Sequence, residues 1–175
     1  DQTIIFDITG GSYVNSQAGL GIAQTTYTIV DNDPVPNIGF TDATTSGSEA
    51  DGSKTIGLTV STESEKTITL TAADLGTGTA TLTTDYTTNA GAITIIPGVT
   101  TSTFLVNFVD DTEDEALETI NFGLSGGTNV NIAGNTTHRV DLTDSDPVPT
   151  LEFNTTAASE NETYGTHTIQ VDLAY

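Results

Sequence analysis

Residues 104–124 read FLVNFVDDTEDEALETINFGL, and this stretch decides the architecture of the chain. The largely apolar run at 104–109 and the alternating run at 120–124 both predict strands. Between them, residues 110–118 carry six carboxylates within nine positions. Crowded carboxylates repel one another unless a cation offsets the charge. Because Ca²⁺ takes 6–8 oxygen ligands in flexible geometry, the stretch predicts a strand–loop–strand unit whose loop binds calcium.

The composition excludes several classes of partner. The 175 residues include 24 acidic and 3 basic ones, for a net charge of -21. Nucleic acid and anionic membrane surfaces are therefore not expected as partners, since both need a basic face. No run of 18 apolar residues exists, so we expect no membrane insertion. Cysteine is absent, which excludes disulfides and thiolate zinc sites. Lone histidines at 138 and 167 do not favour zinc or catalysis.

An internal repeat organises the rest of the chain. Residues 31–36 read DNDPVP, and residues 144–149 read DSDPVP, 113 positions later. The same offset relates Phe40 to Phe153 and residues 55–60 to residues 168–173. N-terminal to the two copies of the motif, residues 3–8 align with residues 119–124. The chain is therefore interpreted as a window on a tandem array of one unit.

Three segments follow from this alignment. We expect residues 1–35 to be the C-terminal part of one repeat, 36–149 a complete repeat, and 150–175 the N-terminal part of the next. A single domain formed by the C-terminal end of one copy and the N-terminal end of a neighbouring copy would lack the equivalent of the acidic loop. The partial units are accordingly interpreted as slices of a longer protein, which also agrees with the absence of methionine at position 1.

Short alternating segments fill the complete repeat, separated by Gly, Asn, Asp and Pro clusters. The predicted strands are 37–41, 54–61, 66–72, 79–83, 92–96, 102–109, 118–124 and 136–142. Seven or eight short strands in about 110 residues predict an all-β, immunoglobulin-like antiparallel sandwich with Greek-key links. If 118–124 and 136–142 pair antiparallel, Asp144 and Asp146 return to the pole that holds the acidic loop. Residues 147–149, Pro-Val-Pro, then leave from that pole as a semi-rigid joint.

These residues resemble a known family. Gly78-Thr79-Ala80, Asp85-Tyr86-Thr87, Pro97-Gly98, the acidic loop and Asp144-Ser145-Asp146 are similar to the Calx-β domain. That module occurs in the regulatory region of sodium–calcium exchangers and in many large bacterial surface proteins. The resemblance covers the complete repeat, and it implies a β-sandwich whose acidic pole binds Ca²⁺.

The resemblance also implies a set of ligands. By position, the calcium ligands fall on Glu49, Asp85, Asp110, Asp111, Glu115, Glu118, Asp144 and Asp146. Glu113 stands where the family offers a backbone carbonyl. Ser145 and Thr112 replace acids of the common pattern, which implies fewer ions or lower affinity. Gln2 takes the Glu118 position of the first unit, so a site at Asp31 and Asp33 is expected to be weaker. Glu160 lies within two positions of the Glu49 equivalent in the third unit.

The sequence also contains other acids, and it leaves other functions open. Asp51 and Asp74 match no pattern and are predicted to be solvent-facing turn residues, whereas Tyr86 is predicted to pack in a strand. An enzyme is not expected, because the paired acids crowd one end of the domain and no pocket-forming insertion is visible. The alternative is a carbohydrate-binding sandwich, although tryptophan is absent and only 5 tyrosines are present. A regulatory calcium sensor would need a membrane partner.

The sequence therefore predicts a calcium-binding structural repeat of a long extracellular or cell-surface protein, such as an adhesin, stalk or filament. Calcium is expected to rigidify the joints between domains. The expected partners are calcium and neighbouring repeats of the same chain, with self-association into a filament as a further possibility.

Overall fold

The structure, a computed structural model, describes residues 1–7, 24–163 and 165–174. These residues form two compact units, Asp1–Pro34 and Val35–Tyr175. In the first unit, β1 (Gln2–Asp7) and β2 (Gln24–Ile29) pair as an antiparallel hairpin. The second unit contains a sandwich of two five-stranded sheets and a separate antiparallel hairpin of β13 (Thr150–Phe153) and β14 (Val171–Ala174).

The sandwich confirms the predicted all-β fold class. Its strands are β3 (Asn37–Phe40), β4 (Thr44–Ser48), β5 (Ser53–Val60), β6 (Ile68–Asp74), β7 (Tyr86–Thr88), β8 (Ala92–Ile95), β9 (Thr101–Phe108), β10 (Glu118–Thr128), β11 (Asn131–Ile132) and β12 (Thr137–Thr143). One sheet has the order β4-β12-β10-β6-β8, and the other has the order β11-β3-β5-β9-β7. A single 3-10 turn, Glu49–Asp51, joins β4 to β5.

The core lies between the two sheets because alternate side chains of each strand point inward. In β9, for example, Phe104, Val106 and Phe108 are buried while their neighbours are not. Phe104 meets Phe122 of the facing sheet edge-on, with ring centroids 5.0 Å apart. Burial of one such side chain contributes about 1.5–3 kcal/mol, so the alternation seen in the sequence is the main source of the sandwich's stability.

Two short edge strands depart from the predicted antiparallel arrangement. β4 runs parallel to β12, and β11 runs parallel to β3. Neither was predicted, because β4 reads TTSGS and β11 has only two residues, so neither shows an apolar alternation. All other pairings within the two sheets are antiparallel among the described strands.

The predicted strand at 79–83 is wrong. Residues 75–85 form a loop there, and the strand begins at Tyr86 instead. The loop packs against the start of β10, where the Ala80 amide donates to the Thr119 carbonyl at 3.1 Å. Gly78 allows this approach, since a Cβ at that position would lie 2.0 Å from the Thr119 carbonyl oxygen. In 79–83, threonine alternates with Ala80 and Leu82 as it would in a strand, so the sequence pattern alone does not distinguish a strand from this loop.

Candidate metal centre

The edge strand β4 carries Glu49 to the acidic pole. Because β4 is parallel to β12, both strands end at the same pole, and Ser48 pairs with Thr143. Glu49 follows Ser48 as Asp144 follows Thr143, which places the two acids side by side. The turn at Glu49 is fixed by Asp51, whose carboxylate accepts the Ser48 amide at 2.8 Å.

Three other strand ends supply the remaining acids. Glu118 begins β10 opposite Leu142, next to the end of β12. Asp85 precedes β7, which pairs antiparallel with the end of β9 through Tyr86 and Phe108. The loop at 109–117 connects β9 to β10 at the same pole. Acids from four separate parts of the sequence therefore converge at this pole. For Asp144 and Asp146, the convergence agrees with the predicted antiparallel pairing of β10 with β12.

The carboxylates form two groups with the spacing of a metal site. One group comprises Glu49, Asp111 and Asp146, and the other comprises Asp85, Glu115 and Glu118. Within each group, one oxygen from each residue lies within 4.8 Å of the others. Glu49 and Asp85 are buried, whereas Asp111 is exposed and the other three are half-buried. Each group therefore offers a partly enclosed set of hard oxygen donors.

Hydrogen bonds fasten the acidic loop to the segment after β12. The two carboxylate oxygens of Asp144 accept the amides of Glu115 and Asp146, at 3.1 and 2.9 Å. The hydroxyl of Ser145 donates to Asp110 at 2.9 Å. Ser145, which stands where the resemblance implies an acid, therefore serves as a second attachment point for the loop.

The electrostatics of the pole disfavour ionised carboxylates. Burial, together with the nearby charges of four acids, raises the pKa of Glu49 from 4.5 to about 7; those acids are Asp144, Glu115, Asp111 and Asp146. Burial also raises the pKa of Glu118 to about 7, with a contribution from its hydrogen bond to Asp85. The pKa values of Glu115 and Asp146 are raised, in each case first by burial and then by neighbouring acids. In contrast, backbone hydrogen bonds lower the pKa of Asp144, the amide of Asp146 foremost.

Three carboxylate oxygens at this pole are buried without a hydrogen-bond partner. They are Oε2 of Glu49, Oε2 of Glu118 and Oδ2 of Asp146. A buried polar atom without a partner costs about 1–3 kcal/mol, and more when it is charged. These oxygens belong to the two groups described above, so the donor set fits a hard cation such as Ca²⁺, which would satisfy them and offset the repulsion.

The remaining predicted ligands lie outside these two groups. Three of them still lie at the pole. The amide of Glu113 donates to Asp111 at 2.8 Å. Asp110 and Asp144 accept the hydrogen bonds that hold the loop to the segment after β12. Asp31 and Asp33 are exposed residues of the first unit, where the Asp33 amide donates to Asp31. Glu160 pairs with His167 at 3.2 Å. The described residues contain no third group of this kind, and the role of each predicted ligand stays a prediction.

Of the two acids predicted to be solvent-facing turn residues, Asp51 is exposed and lies in a turn, which confirms its prediction, whereas Asp74 ends β6 and is not exposed. Asp74 is half-buried and accepts hydrogen bonds from the Tyr86 hydroxyl and from the Gly76 amide. Asp51 closes the turn at Glu49, as described above. Tyr86 is buried, which confirms its predicted packing. The sequence Ser48-Glu-Ala-Asp51 is a capping-box spacing and was the one available signal for Asp51.

The comparisons with known proteins agree with this architecture. The model of the Calx-beta domain family matches residues 31–139, which is more than half of the chain. The chain therefore belongs to the Calx-beta domain family. Among curated proteins, no sequence matches it.

Solved structures of this fold are similar to the chain. The crystal structure of the apo-form Calx CBD1 domain is 20% identical, with a TM-score of 0.60 over 65% of this chain and 100% of that one. The CBD12 structure from CALX1.2 is also 20% identical, with a TM-score of 0.58 over 68% of this chain and 48% of that one. The calcium binding domain CBD12 of CALX1.1 matches at 20% identity and a TM-score of 0.52, over 61% of this chain and 44% of that one.

The chain thus spans about half the length of the CBD12 structures. At this identity, the likeness establishes the fold of the sandwich. No helix among the described residues has the length and apolar character needed to cross a membrane.

Proposed function

We propose that the acidic pole binds Ca²⁺ and that the sandwich is a structural, non-catalytic repeat of a long extracellular or cell-surface protein. The observation that carries the proposal is the pair of adjacent carboxylate groups, which leave three buried oxygens without partners. A structural neighbour described as a calcium binding domain supports it.

Glu49, Asp111 and Asp146 would hold one ion, and Asp85, Glu115 and Glu118 would hold another. Calcium is the hard cation best suited to such groups, because it accepts many carboxylate oxygens in irregular geometry, whereas Mg²⁺ requires near-ideal octahedral geometry. The two histidines of the chain lie outside both groups, so a nitrogen-dependent zinc site is not favoured here.

The position of the pole connects calcium with the shape of the chain. The acidic loop is fastened to Asp144, and the chain continues within a few residues through Pro147-Val148-Pro149 into β13. Occupancy of the two groups would fix the loop, the end of β12 and the start of this joint together. In a chain of such repeats, calcium would stiffen each joint and hold a distal domain away from the cell, as in a stalk, adhesin or filament.

Thermal unfolding of the whole chain in EDTA and in millimolar calcium tests the proposal. At a calcium concentration 100 times the Kd, binding adds about 2.7 kcal/mol to the free energy of unfolding. The rise in Tm should be much smaller in Asp111→Asn, which removes an exposed member of one group with little effect on the fold. Glu63→Gln, which also removes one negative charge but lies in the β5–β6 connection at the other end of the sandwich, is the control.

If calcium leaves the Tm unchanged, or if the two variants respond alike, the acidic pole is not a specific calcium site. Small-angle scattering of the chain with and without calcium then tests whether calcium stiffens the joint at residues 147–149. The proposed stiffening predicts a narrower distribution of dimensions in calcium, and an unchanged distribution would refute that part of the proposal.

A further inference from the structure

His138 is the polar member of the row of β12 side chains that face the core. It shares this row with Val140 and Leu142, and it is only 3% exposed. Its ring lies against Phe40 of the facing sheet, with ring centroids 5.4 Å apart. A buried imidazole has lost its hydration and therefore needs hydrogen-bond partners within the protein. The partners of His138 accordingly indicate what this residue does.

Both ring nitrogens of His138 bond to the segment at the start of β4. Nδ1 lies 2.7 Å from the carbonyl oxygen of Asp42, and Nε2 lies 3.0 Å from the hydroxyl oxygen of Thr45. A carbonyl oxygen can only accept, so Nδ1 carries a proton. In the neutral ring, Nε2 then accepts a hydrogen bond from the Thr45 hydroxyl. This one side chain therefore joins β12 to β4 at two points, in addition to the backbone pairing of the two strands.

The edge strand β4 has few other features that specify its register. It reads TTSGS and contains no apolar side chain. Register is weakly specified in strands that are polar on both faces or rich in glycine. The evenly spaced backbone bonds of a parallel pair would also form after a shift of two residues. After such a shift, Ala43 or Gly47 would lie opposite the ring of His138, and neither of them carries a hydroxyl group.

A second contact restricts β4 without attracting it. Gly47 lies so close to Phe108 that a Cβ at this position would be 2.5 Å from the ring. This contact keeps larger side chains out of that place, but it supplies no bond that draws the strand into position. The hydrogen bond between Thr45 and His138 is therefore the side-chain contact that favours the observed register.

The register of β4 decides where Glu49 lies. Glu49 directly follows Ser48, the last residue of β4, which pairs with Thr143. A parallel strand rises about 3.3 Å per residue, so a shift of two residues would move Glu49 by about 6.6 Å. The oxygens that Glu49, Asp111 and Asp146 contribute to their group lie within 4.8 Å of one another. A shift of this size would therefore remove Glu49 from the group.

We propose that His138 is the positioning residue for Glu49: through its bond to Thr45 it fixes the register of β4, and with it the geometry of one metal group. The inference rests on the calcium binding proposed above, and it adds a residue that belongs to neither group. The other group, which includes Asp85, contains no residue of β4 or of the turn that follows it. Loss of the bond should therefore weaken the binding of one ion much more than that of the other.

Calorimetric titration of the whole chain with calcium tests the proposal, using substitutions of Thr45 because a truncated His138 would leave a cavity in the core. Thr45→Val keeps the shape of the side chain but removes the hydroxyl. It should weaken the binding of one ion by about 10–100-fold, the usual effect of losing a residue that orients a metal ligand. Thr45→Ser retains the hydroxyl and should restore the binding that valine loses. Thr44→Val, on the opposite face of β4, is the matched control.

Two further measurements distinguish positioning from general destabilisation. If Thr45 acts through Glu49, Thr45→Val should have little further effect on calcium affinity in a chain that already carries Glu49→Gln. In EDTA, where no ion is bound, the amides of β4 should exchange with solvent faster in Thr45→Val than in wild type or Thr45→Ser.

The outcomes separate this inference from the proposed function. A wild-type chain that binds no calcium would contradict the proposed function, whereas unchanged amide exchange in Thr45→Val would overturn the positioning role by itself. If the wild-type chain binds calcium, the positioning role is also overturned when Thr45→Val binds both ions as wild type does. The same holds if Thr44→Val weakens binding equally, or if the effect of Thr45→Val persists in full beside Glu49→Gln.

Discussion

The substitution Glu49→Gln separates two effects of the acidic pole: the destabilisation of the metal-free protein by buried charge, and the contribution of that charge to calcium binding. In the metal-free protein at pH 8, Glu49 is a nearly buried carboxylate, 3% exposed, with four acids around it. Glutamine has almost the same shape without the charge. The substitution is therefore expected to stabilise the metal-free protein, although it alters a buried polar residue.

The magnitude follows from the pKa of this group. Its pKa rises from 4.5 in the unfolded chain to about 7 in the folded one. One pKa unit corresponds to about 1.4 kcal/mol, so ionised Glu49 costs the folded state about 3 kcal/mol. Because the folded pKa is raised, the folded state binds more protons between pH 4.5 and 7, and stability falls as pH rises through this window. The difference between wild type and Glu49→Gln should be full above pH 7 and should vanish below about pH 4.5.

Urea unfolding in EDTA at pH 8 and at pH 4.5 measures this difference. A variant that is less stable than the wild-type chain at pH 8 would refute the electrostatic argument, and so would an equal difference at both pH values. Glu63→Gln, which lies at the other end of the sandwich, should leave stability nearly unchanged. The calcium-induced rise in Tm should be smaller in Glu49→Gln than in wild type, because the substitution removes a carboxylate from one of the two groups.

Three further predictions concern the site and its supports. Glu49 and Glu118, whose pKa is raised to about 7, must lose their protons to bind a cation. Calcium affinity measured by calorimetry should therefore fall as the pH is lowered from 8 to 6. A constant affinity would contradict the participation of these two glutamates. Tyr86→Phe removes the hydroxyl that donates to Asp74 and should lower the free energy of unfolding in urea by about 1–3 kcal/mol, whereas an unchanged value would show that bond to be dispensable. Gly78→Ala would place a Cβ 2.0 Å from the Thr119 carbonyl oxygen and should destabilise the sandwich, whereas Gly165→Ala meets nothing within 4 Å and should not.

The strands that carry the core were predictable because their cause is local. Alternation in β5 and β9 is a period of two along the sequence, and it needs no knowledge of what the strand packs against. β4 and β11 were missed for the same reason, since they are held at sheet edges by parallel pairing and contribute little apolar burial. The segment at 79–83 alternates without being a strand, because its contacts with Thr119 compete with strand formation.

The site was predictable in part. The acidic loop and the return of Asp144 and Asp146 to it follow from strand order alone. Glu49 and Asp85 were expected only from the family resemblance, because each lies far from the loop in sequence and on a segment with no pattern of its own. No sequence feature showed that the acids divide into two groups, or that Ser145 and Asp144 fasten the loop.

Sequence alone was enough to establish a β-sandwich with an acidic pole and to show two matching Asp-x-Asp-Pro-Val-Pro segments 113 positions apart, since residue order and spacing set the faces of strands and the charge of loops. Which acids destabilise the folded state when they are ionised depends on the tertiary structure. Glu49 and Asp51 are two residues apart, yet one is buried among carboxylates and the other closes a turn at the surface. The difference arises from β4 lying parallel to β12, a pairing of segments more than 90 residues apart. Desolvation and charge repulsion depend on such neighbours in space, and those neighbours exist only once the sheets have formed.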